Sequence, residues 1–306
     1  MPTEPEPHHA GNHGLGPHVV GQRVVIRRVL PGETGPSGGP AMTDVLGVCT
    51  SWGDGVCVVQ REEGPIVIAV ADIVAGKPVP PRPSPRHRVG PVEAQRRAFA
   101  LFGDLETEEV GAWTLRHSPT TTARRANSVL AFEPSGVDDD YARVVRFYEG
   151  HAARPIAAVL PDSAEDTFFR AQGWGLESHD ADTDFLIASV ARARRALPSS
   201  SAVVELVETT PALVTARVTE ADGVVASGVA AYGDDWVGFR SVEVHPDRRR
   251  EGLGLAVMAA LLEWGAEQGA TTAYLQMLGD NAPALALYAG LGFREHHRYR
   301  YLAPPG

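Results

Sequence analysis

Val242-Glu243-Val244-His245-Pro246-Asp247-Arg248-Arg249-Arg250-Glu251-Gly252-Leu253-Gly254 decides the reading of this chain. It has the order of a buried strand, a short turn and a glycine-rich entry into an amphipathic helix. Gly252 and Gly254 let the backbone approach a ligand without a Cβ in the way. The unpaired N–H groups of a helix start point outward, and the helix dipole favours an anion there. Arg248, Arg249 and Arg250 add positive charge to the same turn. A unit of this kind cradles a pyrophosphate. Two common nucleotide fingerprints are absent, since the chain has neither Gly-x-x-x-x-Gly-Lys-Ser/Thr nor a Gly-x-Gly-x-x-Gly closing a strand.

Downstream, Leu253, Val257, Leu261 and Trp264 recur at helical spacing, supported by Ala256, Ala259 and Ala260. Thr271 to Leu278 reads as a strand. Asn281 can cap a second helix with Pro283 in its first turn, running through Leu285, Leu287 and Tyr288 to a glycine stop near Gly290 and Gly292. Phe293 to Leu302 reads as a last strand. The spacing Arg249-x-x-Gly252-x-Gly254, with Asn281-x-x-Ala284-x-x-Leu287-Tyr288-x-x-Leu291-Gly292-Phe293 after it, resembles the acetyl-coenzyme A signature and second half of the GCN5-related N-acetyltransferase (GNAT) superfamily. The resemblance covers about residues 212 to 302.

The resemblance implies an α/β (α+β) fold for residues 203–306 and acetyl-coenzyme A as co-substrate, with no metal. It implies that Val242 and Val244 offer backbone to the pantetheine arm. Arg249, Arg250, Glu251, Gly252, Leu253, Gly254 and Leu255 would hold the pyrophosphate. Tyr288 stands where the family places a general acid, and a phenol with an ordinary pKa near 10 can donate at neutral pH. Asn281 lies within reach of the pantetheine or of a water. Glu243 and His245 alternate on the face opposite Val242 and Val244, and Glu243 is the better candidate base. A solvated strand carboxylate is the competing reading of Glu243. Glu251 is a departure, because the family often has a small or basic residue there.

The 306 residues are enough for two or three domains. A composition of 43% hydrophobic and 22% charged residues is that of a soluble globular protein. No apolar run reaches the ~20 residues that span a bilayer, so a cytoplasmic protein without a membrane partner is expected. The net charge of −10 disfavours nucleic acid and favours cationic acceptors such as polyamines, aminoglycosides or basic peptides. Residues 1–19 read as a disordered tail. Residues 20–76 read as a small SH3-like β-barrel built on Val24 to Val29, Val45 to Cys49, Val56 to Gln60 and Ile66 to Val70, with Val70 to Val74 as a turn. Cys49 and Cys57 flank a hairpin turn signal and read as small hydrophobes in a reducing compartment. Residues 77–91 form a proline-rich linker.

Residues 92–195 read as a degenerate GNAT-like half. It has a helix from Val92 to Phe102, strands at Trp113 to Arg116 and Ala126 to Phe132, a helix capped by Asp138, and Phe168-Phe169-Arg170-Ala171-Gln172-Gly173-Trp174 as a helix end without a glycine cradle. Certain actinobacterial acetyltransferases resemble this layout of barrel, Arg125-Ala126-Asn127-Ser128 strand and catalytic half. Ala191 to Ala202 reads as a hinge, after which the family's helical lid over the acceptor is shortened or missing. The favoured function is transfer of acetyl to a primary amine of a small molecule or peptide by direct attack on the thioester, with a homodimer admitted. Two alternatives stand beside it, a non-catalytic acetyl-coenzyme A sensor and an interaction protein acting through the barrel.

Overall fold

A computed structural model describes residues 14–35, 38–61, 63–79, 85–221 and 223–305. The chain divides into two compact units, residues 1–83 and 84–306. In the first, β1 (Arg23–Thr34), β2 (Pro40–Gly53), β3 (Val56–Arg61), β4 (Gly64–Ala69) and β5 (Ile73–Pro78) form an antiparallel sheet in the order β4-β3-β2-β1-β5. Alternate residues turn inward, so Val24, Ile26, Cys49, Cys57, Val59 and Ile68 form a fully enclosed core. Both cysteines are free, and burial pushes the Cys57 thiol up to about 11, as expected of packing residues rather than nucleophiles.

Two expected boundaries move. Pro17–Val19 forms a 3-10 turn that delivers Leu15 and Val19 into this core, so the described end of residues 1–19 is packed; residues 1–13 lie outside the described residues. Val70–Asp72 is the expected turn, but Ile73–Pro78 is a strand, and Val25 and Val24 pair with Lys77 and Pro78. The segment expected to open the linker therefore begins as a sheet edge, where a proline is tolerated.

The second unit carries α1 (Pro91–Arg97), β6 (Glu106–Val110), β7 (Trp113–His117), β8 (Val129–Leu130), α2 (Asp140–Gly150), β9 (Ala157–Val159), α3 (Ala164–Ala171), β10 (Gly175–Leu176), β11 (Thr183–Ser189) and α4 (Val190–Ala196). It continues with β12 (Glu205–Thr210), β13 (Leu213–Glu220), β14 (Gly223–Gly233), β15 (Trp236–Val244), α5 (Leu253–Glu267), β16 (Thr272–Leu278), α6 (Ala282–Gly290) and β17 (Arg294–Ala303). One sheet runs β12-β13-β14-β15-β16-β11-β17-β9-β8-β7-β6, with β10 beside β17.

That order has a pseudo-twofold centre between β11 and β17. On either side lie a parallel pair bridged by a helix (β15, α5, β16 and β8, α2, β9) and then antiparallel strands. The final strands are exchanged. β11 pairs along its whole length with β16, while β17 pairs with β9. Residues 183–189, assigned from sequence to the middle section, thus sit inside the C-terminal sheet. Ala191 to Ala202 is not a plain hinge either, because α4 buries Val190 and Ala193 in the same core as α5.

The C-terminal helix follows the sequence pattern, with Leu253, Val257, Leu261 and Trp264 all buried. Only Pro211 and Ala212 separate β12 from β13, so among the described residues no helix stands between these two strands. The cover comes from α1 and a 3-10 turn at Ala98–Leu101, whose Ala94, Ala98 and Leu101 pack on Trp236 and Tyr274. The middle half keeps less regular structure than expected, since Ala126 to Phe132 is a strand only at Val129–Leu130. Asp139 rather than Asp138 precedes α2, without a side-chain cap. Asp138, Asp139 and Asp140 crowd that helix start, so their negative charge disfavours an anion there.

Candidate active site

β15 and β16 pair from Trp236 opposite Thr272 to Phe239 opposite Leu275 and then part, although both strands continue. The cause is a β-bulge. Val229 of β14 faces Arg240 and Ser227 faces Glu243, so β15 carries one extra residue, and Ser241 takes φ 50°. The parting opens a cleft of about 790 Å³ lined by Val242, Glu243, Val244, Arg249, Gly254, Asn281 and Tyr288. Val224 to Ser227 of β14 line it as well. They carry no local signal in the sequence and reach the cleft through strand pairing alone.

At the mouth of the cleft a 3-10 turn, Pro246–Arg248, leads into a left-handed pair, Arg250 at φ 68° and Gly252 at φ 80°. The two glycines serve different ends. A Cβ on Gly252 would touch nothing, so that position is fixed by its backbone conformation; a Cβ on Gly254 would stand 3.3 Å from Val244 Cγ2, so that position is fixed by close approach. No side chain caps α5, which leaves its first N–H groups available. Leu253 is buried and Leu255 packs against the core, so both can serve the cradle only through backbone.

Glu251 is resolved by its neighbour. Arg248 donates to its carboxylate at 2.8 Å and also to Glu220, and the guanidinium holds the Glu251 carboxyl below its usual range. The Glu251 carboxylate is therefore held by Arg248, and like Leu253 and Leu255 this residue can serve the cradle through its backbone. Arg249 and Arg250, by contrast, are exposed and form no ion pair among the described residues. Free helix N–H groups, a glycine approach and two uncommitted guanidinia fit a pyrophosphate-bearing cofactor.

Tyr288 lies deeper in the cleft, edge-on to Phe293 at 5.6 Å, and burial pushes its hydroxyl above the ordinary phenol value. That hydroxyl has no protein hydrogen-bond partner among the described residues. Asn281 uses its Oδ1 to accept from the Ala284 N–H at 3.3 Å, which caps α6 and leaves its amide N–H groups for the cleft. Glu243 is exposed on the cleft wall. Among the described residues no group of three or more His, Cys, Asp and Glu is placed to hold a metal ion, and no helix is long and apolar enough to cross a membrane.

Residues 188–302 match the family described as "probable histone acetyltransferase Rv0428c C-terminal". The chain is 30% identical over 84 residues to the uncharacterized N-acetyltransferase YobR of Bacillus subtilis, covering 26% of this chain and 34% of that protein. It is 40% identical over 55 residues to the [ribosomal protein bS18]-alanine N-acetyltransferase of Escherichia coli, covering 18% of this chain and 37% of that protein. The chain thus spans about a third of the length of these curated relatives. A solved GCN5-related N-acetyltransferase from Kribbella flavida superposes with a TM-score of 0.54 at 16% identity, covering 74% of this chain and 97% of that one. The shared fold therefore extends beyond the stretch matched by the family. The family matched over residues 188–302 and the relatives that the chain resembles are acetyltransferases by description, and the fold is similar to that of a GCN5-related N-acetyltransferase.

Proposed function

We propose that the protein is an acetyl-coenzyme A-dependent N-acetyltransferase whose acceptor is a primary amine that attacks the thioester directly. The observation that carries this reading is the parting of β15 and β16 beside an uncapped, glycine-shaped helix start. Backbone of Val242 to Val244, which has no partner in β16, is free to pair with an extended amide-bearing arm. The first N–H groups of α5, with Arg249 and Arg250, take the pyrophosphate, and the Asn281 amide faces the arm. Bound acetyl-coenzyme A supplies an activated acyl group. Tyr288 gives its proton to the departing sulfur, and its raised pKa keeps that proton in place through the neutral range. Glu243 receives the proton that the attacking amine loses, by way of water. The first unit acts as an SH3-like docking module in a cytoplasmic enzyme.

Thermal unfolding with acetyl-coenzyme A tests the reading. Ligand at ~100 times its dissociation constant adds about 2.7 kcal/mol, which in a unit of this size raises Tm by roughly 5–10 °C, while NAD gives no shift. Tyr288→Phe keeps that shift and lowers turnover by about 10²–10⁴-fold. Absence of any acetyl-coenzyme A shift would refute the cradle, and undiminished turnover in Tyr288→Phe would refute the role of the phenol.

A further inference from the structure

The sheet has a second face at the point where β15 and β16 part. Val237, Phe239, Ala273 and Leu275 turn toward α5, so the alternate residues Trp236, Tyr274, Arg240 and Gln276 turn the other way, toward α1. Arg240 is the first residue of β15 beyond its last pair with β16. Its Nε donates to Leu101 O at 2.9 Å. Opposite it, Arg125 Nη1 donates to Gln276 O at 2.8 Å. Tyr299 donates to the Gln276 side chain at 2.6 Å and meets the Tyr301 hydroxyl at 3.2 Å. A cavity of about 370 Å³ adjoins this group, lined by Arg124, Arg125, Thr183, Met277, Leu278 and Tyr301.

The charge balance of this face is unusual. Arg116 is fully buried, and its guanidinium bonds only Ser128, at 2.9 and 2.8 Å, over the ring of Phe99. Among the described residues none of Arg116, Arg125 and Arg240 forms an ion pair. Arg124 is the exception in the neighbourhood, being held by Glu177 and Asp180. The one carboxylate that acts on Arg240 is Asp104, which is itself occupied by Ser118 and Thr120. Burial and the nearby Arg125 both disfavour charge on Arg240, while Arg125 and Arg116 both act on the Tyr301 hydroxyl. Of these, Arg125 lines the cavity and Arg240 stands near it; both are half-buried, and neither has a carboxylate partner among the described residues, in a chain whose net charge is −10. A half-desolvated guanidinium that has no carboxylate beside it favours an anion as its partner.

We infer that the acceptor is a small primary amine that also carries an anionic group, a carboxylate or phosphate, which Arg125 and Arg240 bind on the face of the sheet opposite α5. This rests on the acetyltransferase reading above and replaces the cationic acceptor suggested by net charge. Whole-molecule charge governs encounter at long range, whereas the local guanidinia govern which group can be desolvated at the site. A cavity of this volume lies at the small-molecule end of ligand sites. Its lining by Met277 and Leu278 sets the anion of the acceptor beside the end of β16.

The test uses the full chain, with thiol release from acetyl-coenzyme A as the rate and calorimetry on the coenzyme A complex as the binding readout. The probes are matched in length: an ω-amino carboxylate, an aminoalkyl phosphate, a neutral alkylamine and a diamine. Either anionic amine is expected to exceed the neutral one by at least about tenfold in kcat/KM and in affinity, or 1.4 kcal/mol, and the stronger of the two identifies the anion. Arg125→Gln and Arg240→Gln abolish that advantage by raising KM with kcat little changed, and Arg125→Lys keeps part of it. Both Gln variants retain the acetyl-coenzyme A shift, which separates loss of the pocket from loss of fold. Equal or better binding of the neutral amine or diamine, with a normal acetyl-coenzyme A shift, overturns the anionic acceptor alone. Absence of the acetyl-coenzyme A shift overturns the parent reading as well.

Discussion

His297 on β17 should make the second unit acid-sensitive by an amount that follows from its surroundings. It is buried between Phe185, stacked at 4.7 Å, and Phe132, with Tyr299 beyond. Its Nε2 lies 3.1 Å from Gln95 Nε2 and its Nδ1 lies 2.7 Å from His296 Nδ1; His296 Nε2 in turn lies 2.8 Å from Val89 O. One assignment of protons satisfies all three contacts. Gln95 donates to His297, His297 donates to His296, and His296 donates to Val89 O. A second proton on His297 would set an N–H against the Gln95 amide and an uncompensated charge in the core. Burial, aided by His296, lowers the His297 pKa to about 3. Its unfolded value is ~6.5, so the unfolded chain binds the extra proton first. Stability from this residue is complete above pH ~6.5 and falls as pH drops from there toward 3, by about 1.4 kcal/mol per unit. From pH 7.5 to pH 5 the loss is about 2 kcal/mol, or roughly 4–8 °C in Tm. Urea unfolding of wild type and His297→Gln across that range measures it, and the variant should lose about 2 kcal/mol less on acidification whatever its stability at pH 7.5. Identical pH slopes for the two proteins would refute the relay.

The glycines of the cradle should separate by mechanism. Gly252→Ala meets no steric contact and pays only for a left-handed residue, about 1–3 kcal/mol of unfolding free energy. Gly254→Val instead crowds Val244 and should weaken acetyl-coenzyme A binding at least tenfold, measured by calorimetry; unchanged affinity would contradict the close-approach argument. Removal of residues 1–83 should leave a cooperatively folding unit that releases thiol at the wild-type rate, and a rate lowered tenfold would assign the first unit a part in catalysis.

Local patterns carried the C-terminal half in the sequence. The apolar repeat of Leu253, Val257, Leu261 and Trp264, the Asn281 cap and the Gly290–Gly292 stop each depend on neighbours a few residues away, and each lies where its spacing indicates. β11 was missed because its partners, β16 and β17, begin some 90 to 110 residues later, beyond any local signal. β5 was missed because Gly76, Lys77 and Pro78 have the composition of a linker, and only pairing with β1 makes them a strand. Glu251 reads as an intrusion into a phosphate site until Arg248 is seen to hold it. The cationic pocket was illegible for a similar reason. Arg125 and Arg240 are ordinary arginines in two separate segments, and the overall negative charge points the other way.

The exchange of β11 and β17 bears on how the chain acquires its structure. β17 follows every other strand of the second unit in chain order, yet it flanks both β11 and β9 at the middle of the sheet. Until it docks, β9, whose three residues are all apolar and buried in the finished sheet, presents a bare hydrogen-bonding edge, the kind of surface that recruits wrong partners. The two halves therefore cannot mature one after the other during synthesis, as independent domains do. Each waits for the other's closing strand, and the completed unit should melt in a single transition despite its two-part plan.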